Sequence, residues 1–153
     1  MSRKSRLAIA FIGSVVSASA CGLLPPTVYQ VDPAALEEVG SIGKVKERAS
    51  REVAYAGAIE ISNMFVMDVG GESGKGARDR AVNLLRSKGW KVAAENLSLI
   101  SMESDKWNGQ LTVSSFLPFD LQRYPNTFKA LESAATIPKT FILVKVNKRR
   151  SYD

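Results

Sequence analysis

Two runs of alternating apolar and polar side chains, LSLISMES (97–104) and QLTVSSF (110–116), stand on either side of Asn108-Gly109. A period of two marks a strand with one buried face. Asn-Gly between such runs is the strongest short hairpin signal, because both residues tolerate positive φ. The chain must therefore build at least one antiparallel pair, and its neighbours must cover that pair's apolar side.

WKVAAE (90–95), with Trp90, Val92 and Ala94 alternating onto one face, predicts a strand ahead of the pair and so a three-strand meander. GARDRAVNLLRSKG (76–89) predicts a helix, with Ala77, Ala81, Leu84, Leu85 and Lys88 on adjacent helical positions. Gly89 should close that helix and send Trp90 back onto Leu85 in a Schellman cap. IEISNMFVMDV (59–69) and TFILVKV (140–146) have strand composition. A second helix is expected in DLQRYPNTFKALESAAT (120–136), packing through Phe128, Leu131 and Ala135.

From residue 59 to 150 the expected order is strand, helix, three strands, helix, strand. That argues an α+β fold, with two helices on one face of a mainly antiparallel sheet. Ahead of it, residues 33–58 read as a helical segment. Asp32-Pro33 is an N-cap followed by proline at the first helical position. Val45, Ala49, Val53 and Ala56 form a stripe at helical spacing.

The stretch VGGESGKGA (69–77) raises the prospect of a phosphate-binding loop, which wants G-x-x-x-x-G-K-[ST]. Aligned on Gly74-Lys75, the first glycine is replaced by Val69 and the hydroxyl residue by Gly76. A magnesium ligand is lost, and a meander replaces the repeated βαβ units of a nucleotide sheet. The expectation is a turn with Lys75 facing water, and no nucleotide.

The first residues read as an export signal. MSRKSR is a basic start, LAIAFIGSVV (7–16) an apolar run too short to span a bilayer, and SASACG (17–22) a small-residue exit. Cys21 is the only cysteine and falls at the predicted junction. An unpaired cysteine in an exported chain asks for an explanation. Ser19-Ala20-Cys21-Gly22 resembles a bacterial lipobox, whose cysteine carries a diacylglyceryl group with palmitate-type chains, although Ala18 stands where leucine is usual. Multiple acyl chains hold a protein on a membrane. Ala18-Ser19-Ala20 also satisfies the rule for ordinary secretion, which would leave a soluble secreted protein. Residues 21–32, with Pro25-Pro26, then serve as a stiff tether.

The whole chain carries a formal charge of +6. Removing residues 1–20 takes away Arg3, Lys4 and Arg6 and leaves 18 basic against 15 acidic side chains. An excess of +3 is no nucleic-acid footprint. Its one concentration, Lys145, Lys148, Arg149 and Arg150, reads as a solvated strand end or a contact with anionic lipid.

There is no histidine, which removes Ser-His and Cys-His nucleophiles and His-ligated zinc. No S-x-x-K stands at Ser73 and Lys75. Glu103 and Asp105, two apart on an extended segment, are the nearest approach to a carboxylate pair, and acids at a hairpin end are usually solvated. No catalytic set, cofactor or metal is expected. Trp107 beside the hairpin tip, with Glu103 and Asp105, is the candidate contact for a partner protein or sugar, unless it folds back over the sheet.

LLRSKGWKV followed by SMESDKWNG resembles small uncharacterised actinomycete (Streptomyces-type) lipoproteins. In these a helix ends in Gly-Trp and an E-S-x-x-W hairpin follows, here Gly89, Trp90, Glu103, Ser104 and Trp107. The resemblance covers about residues 74–115. It implies place and fold and supplies no catalytic residue. The resulting expectation is a non-catalytic binding module, lipid-anchored at Cys21 on the outer face of the cell membrane, that contacts an envelope protein or cell-wall polymer. The alternatives are a small carboxylate hydrolase or a secreted effector.

Overall fold

The computed structural model describes residues 25–134 and 136–150. The leader, Cys21 and Ala135 lie outside the described residues.

The architecture grows from one strand that is apolar on both sides. In β3 (Ala58–Asp68), Met64, Phe65, Val66 and Met67 are all buried. Side chains alternate across a sheet, so such a run needs cover above and below. One edge of β3 pairs antiparallel along its whole length with β2 (Lys44–Tyr55). The other edge is shared. β1 (Thr27–Tyr29) lies parallel to it at Ala58–Glu60, and β7 (Phe141–Lys148) antiparallel at Asn63–Asp68. Beyond β7 come β6 (Gly109–Ser115), β5 (Leu99–Ser104) and β4 (Lys91–Glu95), all antiparallel. The protein is thus α+β, with a mostly antiparallel seven-stranded sheet.

On the first face lie α1 (Pro33–Gly40) and α2 (Gly74–Ser87). Ala35 and Val39 of α1, and Ala77, Ala81, Val82 and Leu85 of α2, pack on Phe65, Met67, Met102, Leu111, Ile142 and Val144. On the second face α3 (Pro118–Arg123) and α4 (Lys129–Glu132) bring Tyr124, Phe128 and Leu131 onto Met64, Val66 and Leu143. Phe116 and Phe128 meet edge to face at 5.4 Å.

Two expectations are corrected here. The helices do not share one face: α2 and the α3–α4 pair lie on opposite sides. The cause is in β3 and β7, where consecutive side chains, such as Ile142 and Leu143, enter different cores. The segment 33–58 is helical only over Pro33–Gly40, and Lys44–Tyr55 is strand. A spacing of four fits a helix face and, being even, also one side of a strand. Val45, Ala49 and Val53 therefore could not distinguish the two. A bulge between Val45 and Glu47 then puts Val45 on the first face and Ala49 on the second.

The turns follow their chemistry. Asp32 Oδ1 accepts from the Ala34 N–H at 2.8 Å and caps α1. The Trp90 N–H donates to the Leu85 carbonyl and that of Gly89 to Arg86, which is the Schellman closure of α2. β2 and β3 are joined by Ala56 and Gly57, both at positive φ. The β5–β6 hairpin turns through Asp105–Asn108, and Gly109 already lies in β6 opposite Ser104.

The glycine-rich loop before α2 is shaped by contact with its own helix. Gly71 sits at φ 142°, and a Cβ there would lie 2.9 Å from the Ala77 nitrogen. Gly71→Ala should therefore combine a strained φ with a backbone clash and cost about 2–4 kcal/mol. Gly57→Ala, at φ 78° with nothing within 4 Å, should cost only about 1 kcal/mol. Urea midpoints of the two variants, at unchanged m, check the difference.

Candidate functional site

Of the residues nominated at the hairpin, Trp107 turns onto a carboxylate that sequence reasoning passed over, while Glu103 and Asp105 meet at Arg149. Glu38, near the end of α1, receives the Trp107 indole N–H at 2.8 Å and that of Trp90 at 3.1 Å on Oε1. Its Oε2 takes the Lys106 ammonium at 2.8 Å. The same ammonium lies 4.1 Å from the centre of the Trp107 ring. Ser104, buried, accepts the Trp107 backbone N–H at 3.4 Å and holds the turn. Trp90 and Trp107, the two tryptophans of the chain, are thus anchors of one clasp between α1 and the β5–β6 turn.

Trp107 is half-buried and packs against the first core, so it folds back over the sheet and does not stand free as a contact. Asp105 pairs with Lys91 at 3.1 Å and with Arg149 at 3.0 Å, and Glu103 meets Arg149 at 3.4 Å. The two acids share one cation, Arg149. Hydrogen bonds from Lys91 and Arg149 hold the Asp105 carboxyl below its ordinary range, and Asp105 in turn raises Arg149. Among the described residues no three potential metal ligands converge.

Burial pushes the Glu38 carboxyl up, and the donors Lys106, Trp107 and Trp90 together with the Lys106 charge more than offset it. The net result is a pKa below the ordinary 4.5. A lowered folded value means that the clasp's contribution is complete above pH 4.5 and is lost as pH falls through the folded pKa. The signal for Glu38 was present in the sequence: an acid beside Ala35 and Val39 on the inward stripe of an amphipathic helix.

The other constellation lies on the second face. α3 and α4 cover β3, β7 and the end of β6, but leave the outward side of β5 and β6 bare. A groove of about 690 Å³ opens there. Ser101 of β5 and Gln110, Thr112 and Ser114 of β6 line its floor, with Leu143, Lys145 and Asn147 of β7 beside them. Its lip is α3, whose entry leaves Leu117 54% and Phe119 63% exposed. The Asp120 carboxylate accepts the Leu117 N–H at 2.8 Å and fixes that lip. The opposite rim is the β4–β5 turn, where Asn96 Oδ1 accepts the backbone N–H groups of Ser98 and Leu99. Arg78, only 7% exposed, donates to the Leu97 carbonyl at 2.7 Å from behind.

Lys145 donates to the Tyr124 hydroxyl and lies 4.7 Å from that ring's centre. A second hollow adjoins across Lys145 and Asn147. There Asn147 joins Ser62 to Glu60, and Glu60 pairs with Arg150. The basic C-terminal cluster is therefore largely engaged within the fold. Lys75, of the glycine-rich loop, pairs with Asp79 at 2.6 Å. Among the described residues no helix is long and apolar enough to cross a membrane.

Neither a family model, nor a curated protein, nor a solved structure matches the chain.

The clasp makes a graded prediction. Glu38→Leu leaves the buried Trp90 N–H without an acceptor and should cost about 2–3 kcal/mol. Glu38→Gln keeps an acceptor oxygen, loses the ion pair whose Lys106 end is exposed, and should cost about 1 kcal/mol. Urea unfolding followed by tryptophan fluorescence should rank them so, with the gap between Gln and wild type closing as pH falls below 4.5.

Proposed function

We propose that this protein is an exported, lipid-anchored binding module of the cell envelope, and that its ligand lies in the groove on the second sheet face. The observation that carries the binding half is the bare, polar floor of β5 and β6 beside the exposed Leu117 and Phe119. A concave site in which polar groups converge beside apolar side chains, here Leu99, Leu117, Phe119 and Leu143, is suited to holding a ligand. The geometry moves the proposed contact surface from Trp107, whose indole is occupied by Glu38, to this groove.

The anchoring half rests on the basic, apolar and small-residue order of residues 1–22 with Cys21 at its junction. The likeness of residues 74–115 to small actinomycete lipoproteins supports the same placement. Pro25-Pro26 ahead of β1 supports a tether between anchor and sheet. Action by binding is favoured over hydrolysis because Glu103 and Asp105 are both tied to Arg149. A paired-carboxylate hydrolase needs two acids facing each other across a cleft.

Fractionation and mass analysis test the anchor. The wild-type chain should stay with membranes through a high-salt wash, begin at residue 21 and carry acyl mass on Cys21. Cys21→Ala should lose that mass and leave the membrane fraction. Wild-type protein found in the medium with a free thiol would establish secretion instead.

A further inference from the structure

Resting on the groove reading, we infer that the groove's ligand is an acidic glycan laid across β5, β6 and β7. The floor supplies hydroxyl and carboxamide groups in a lattice, Ser101 beside Thr112 across one strand pair and Ser114 and Gln110 along β6. Neighbours on one face lie about 6.7 Å apart along a strand and about 4.8 Å across strands. Such groups both donate and accept, as a polyol requires. β5, β6 and β7 are each hydrogen-bonded on both sides, so an extended peptide finds no free strand edge at the floor. Phe119 on the lip offers a ring against which a sugar's C–H face can pack.

Charge selects the acid. Glu60 pairs with Arg150 and Glu103 with Arg149. Asp120, on the lip, accepts the Leu117 N–H and keeps its charge, so Arg123 and Lys145 leave the charged groove lining one positive charge in excess. Arg123 and Lys145 border the groove and take part in none of these ion pairs. Each instead rests on the Tyr124 ring, at 5.6 Å and 4.7 Å. Two cations held over one aromatic ring beside a hydroxyl floor fit a carboxylate flanked by sugar hydroxyls.

The test titrates the mature chain, as its cells make it, with hexagalacturonate, cellohexaose, hexaglutamate and phosphatidylglycerol vesicles. Backbone amide shifts of Ser101, Thr112 and Ser114 are the readout. Hexagalacturonate should move these amides, and cellohexaose should bind at least about tenfold more weakly. Arg123→Gln, at an exposed helix end, and Lys145→Gln should each weaken the acidic glycan about tenfold. Thr112→Val should weaken it while leaving the fold unchanged. Equal binding of cellohexaose, or floor shifts with hexaglutamate or vesicles that survive Thr112→Val, overturns the ligand class and leaves the groove reading standing. If no probe moves the floor amides, both fall.

Discussion

One carboxylate on α1 sets the terms for the rest of the molecule. Glu38 lies beside Ala35 and Val39 of the first core and against two indoles, and an ion there costs free energy unless its oxygens are filled. They are filled by donors from two separate places in the chain, Trp90 after α2 and Lys106 and Trp107 in the β5–β6 turn. α1, the end of α2 and the hairpin are thereby fixed to one another. Gly89 and Ser104 serve the same clasp, the first by closing α2 ahead of Trp90 and the second by holding the turn beneath Trp107.

The clasp reaches the groove through the sheet. Met102 and Leu111 lie opposite each other on the clasped side, and their neighbours Ser101 and Thr112 lie opposite each other on the groove side. Fixing the β5–β6 hairpin from one face therefore fixes the floor presented by the other. The groove itself comes from a mismatch between strands. β3 and β7 are apolar on both sides and draw α3 and α4 over them. β5 and β6 bury apolar side chains on one side only; the other carries Leu99 among Ser101, Glu103, Gln110, Thr112 and Ser114 and lies open in the groove.

Much of the frame was legible because local chemistry decided it. The Asp32 cap, the Gly89-Trp90 closure and the β5–β6 pair each follow from a few adjacent residues. β2 was misread because it runs along an edge with charges on both sides, and its apolar residues fall at a spacing common to helix and strand. The Asn-Gly signal located the right hairpin, yet Gly109 belongs to the strand beneath Trp90, and the tighter turn lies at Ala56-Gly57, a pair with weaker turn preference. The groove was not legible. It depends on which half of a sheet face the α3–α4 segment covers, a long-range outcome that no window of sequence contains. Trp107 drew attention as a surface aromatic, whereas the exposed ring is Phe119, set out by the Leu117-Pro118 entry to a short helix.

The two halves of the functional proposal also constrain each other in space. Thr27, which follows Cys21 by a few residues, pairs with Ala58 at one end of β3. Asp68, at the other end, pairs with Phe141, and Phe141 receives the Phe116 N–H just before Leu117. Ten residues of strand separate these ends by about 33 Å. If Cys21 carries the lipid, the tether leaves from the Ala58 end and the lip of Leu117 and Phe119 stands at the far one. The lip is thus separated from the start of the sheet by the length of β3. Anchor and groove therefore belong to opposite ends of one strand, and β3, apolar on both sides, is what holds those ends apart.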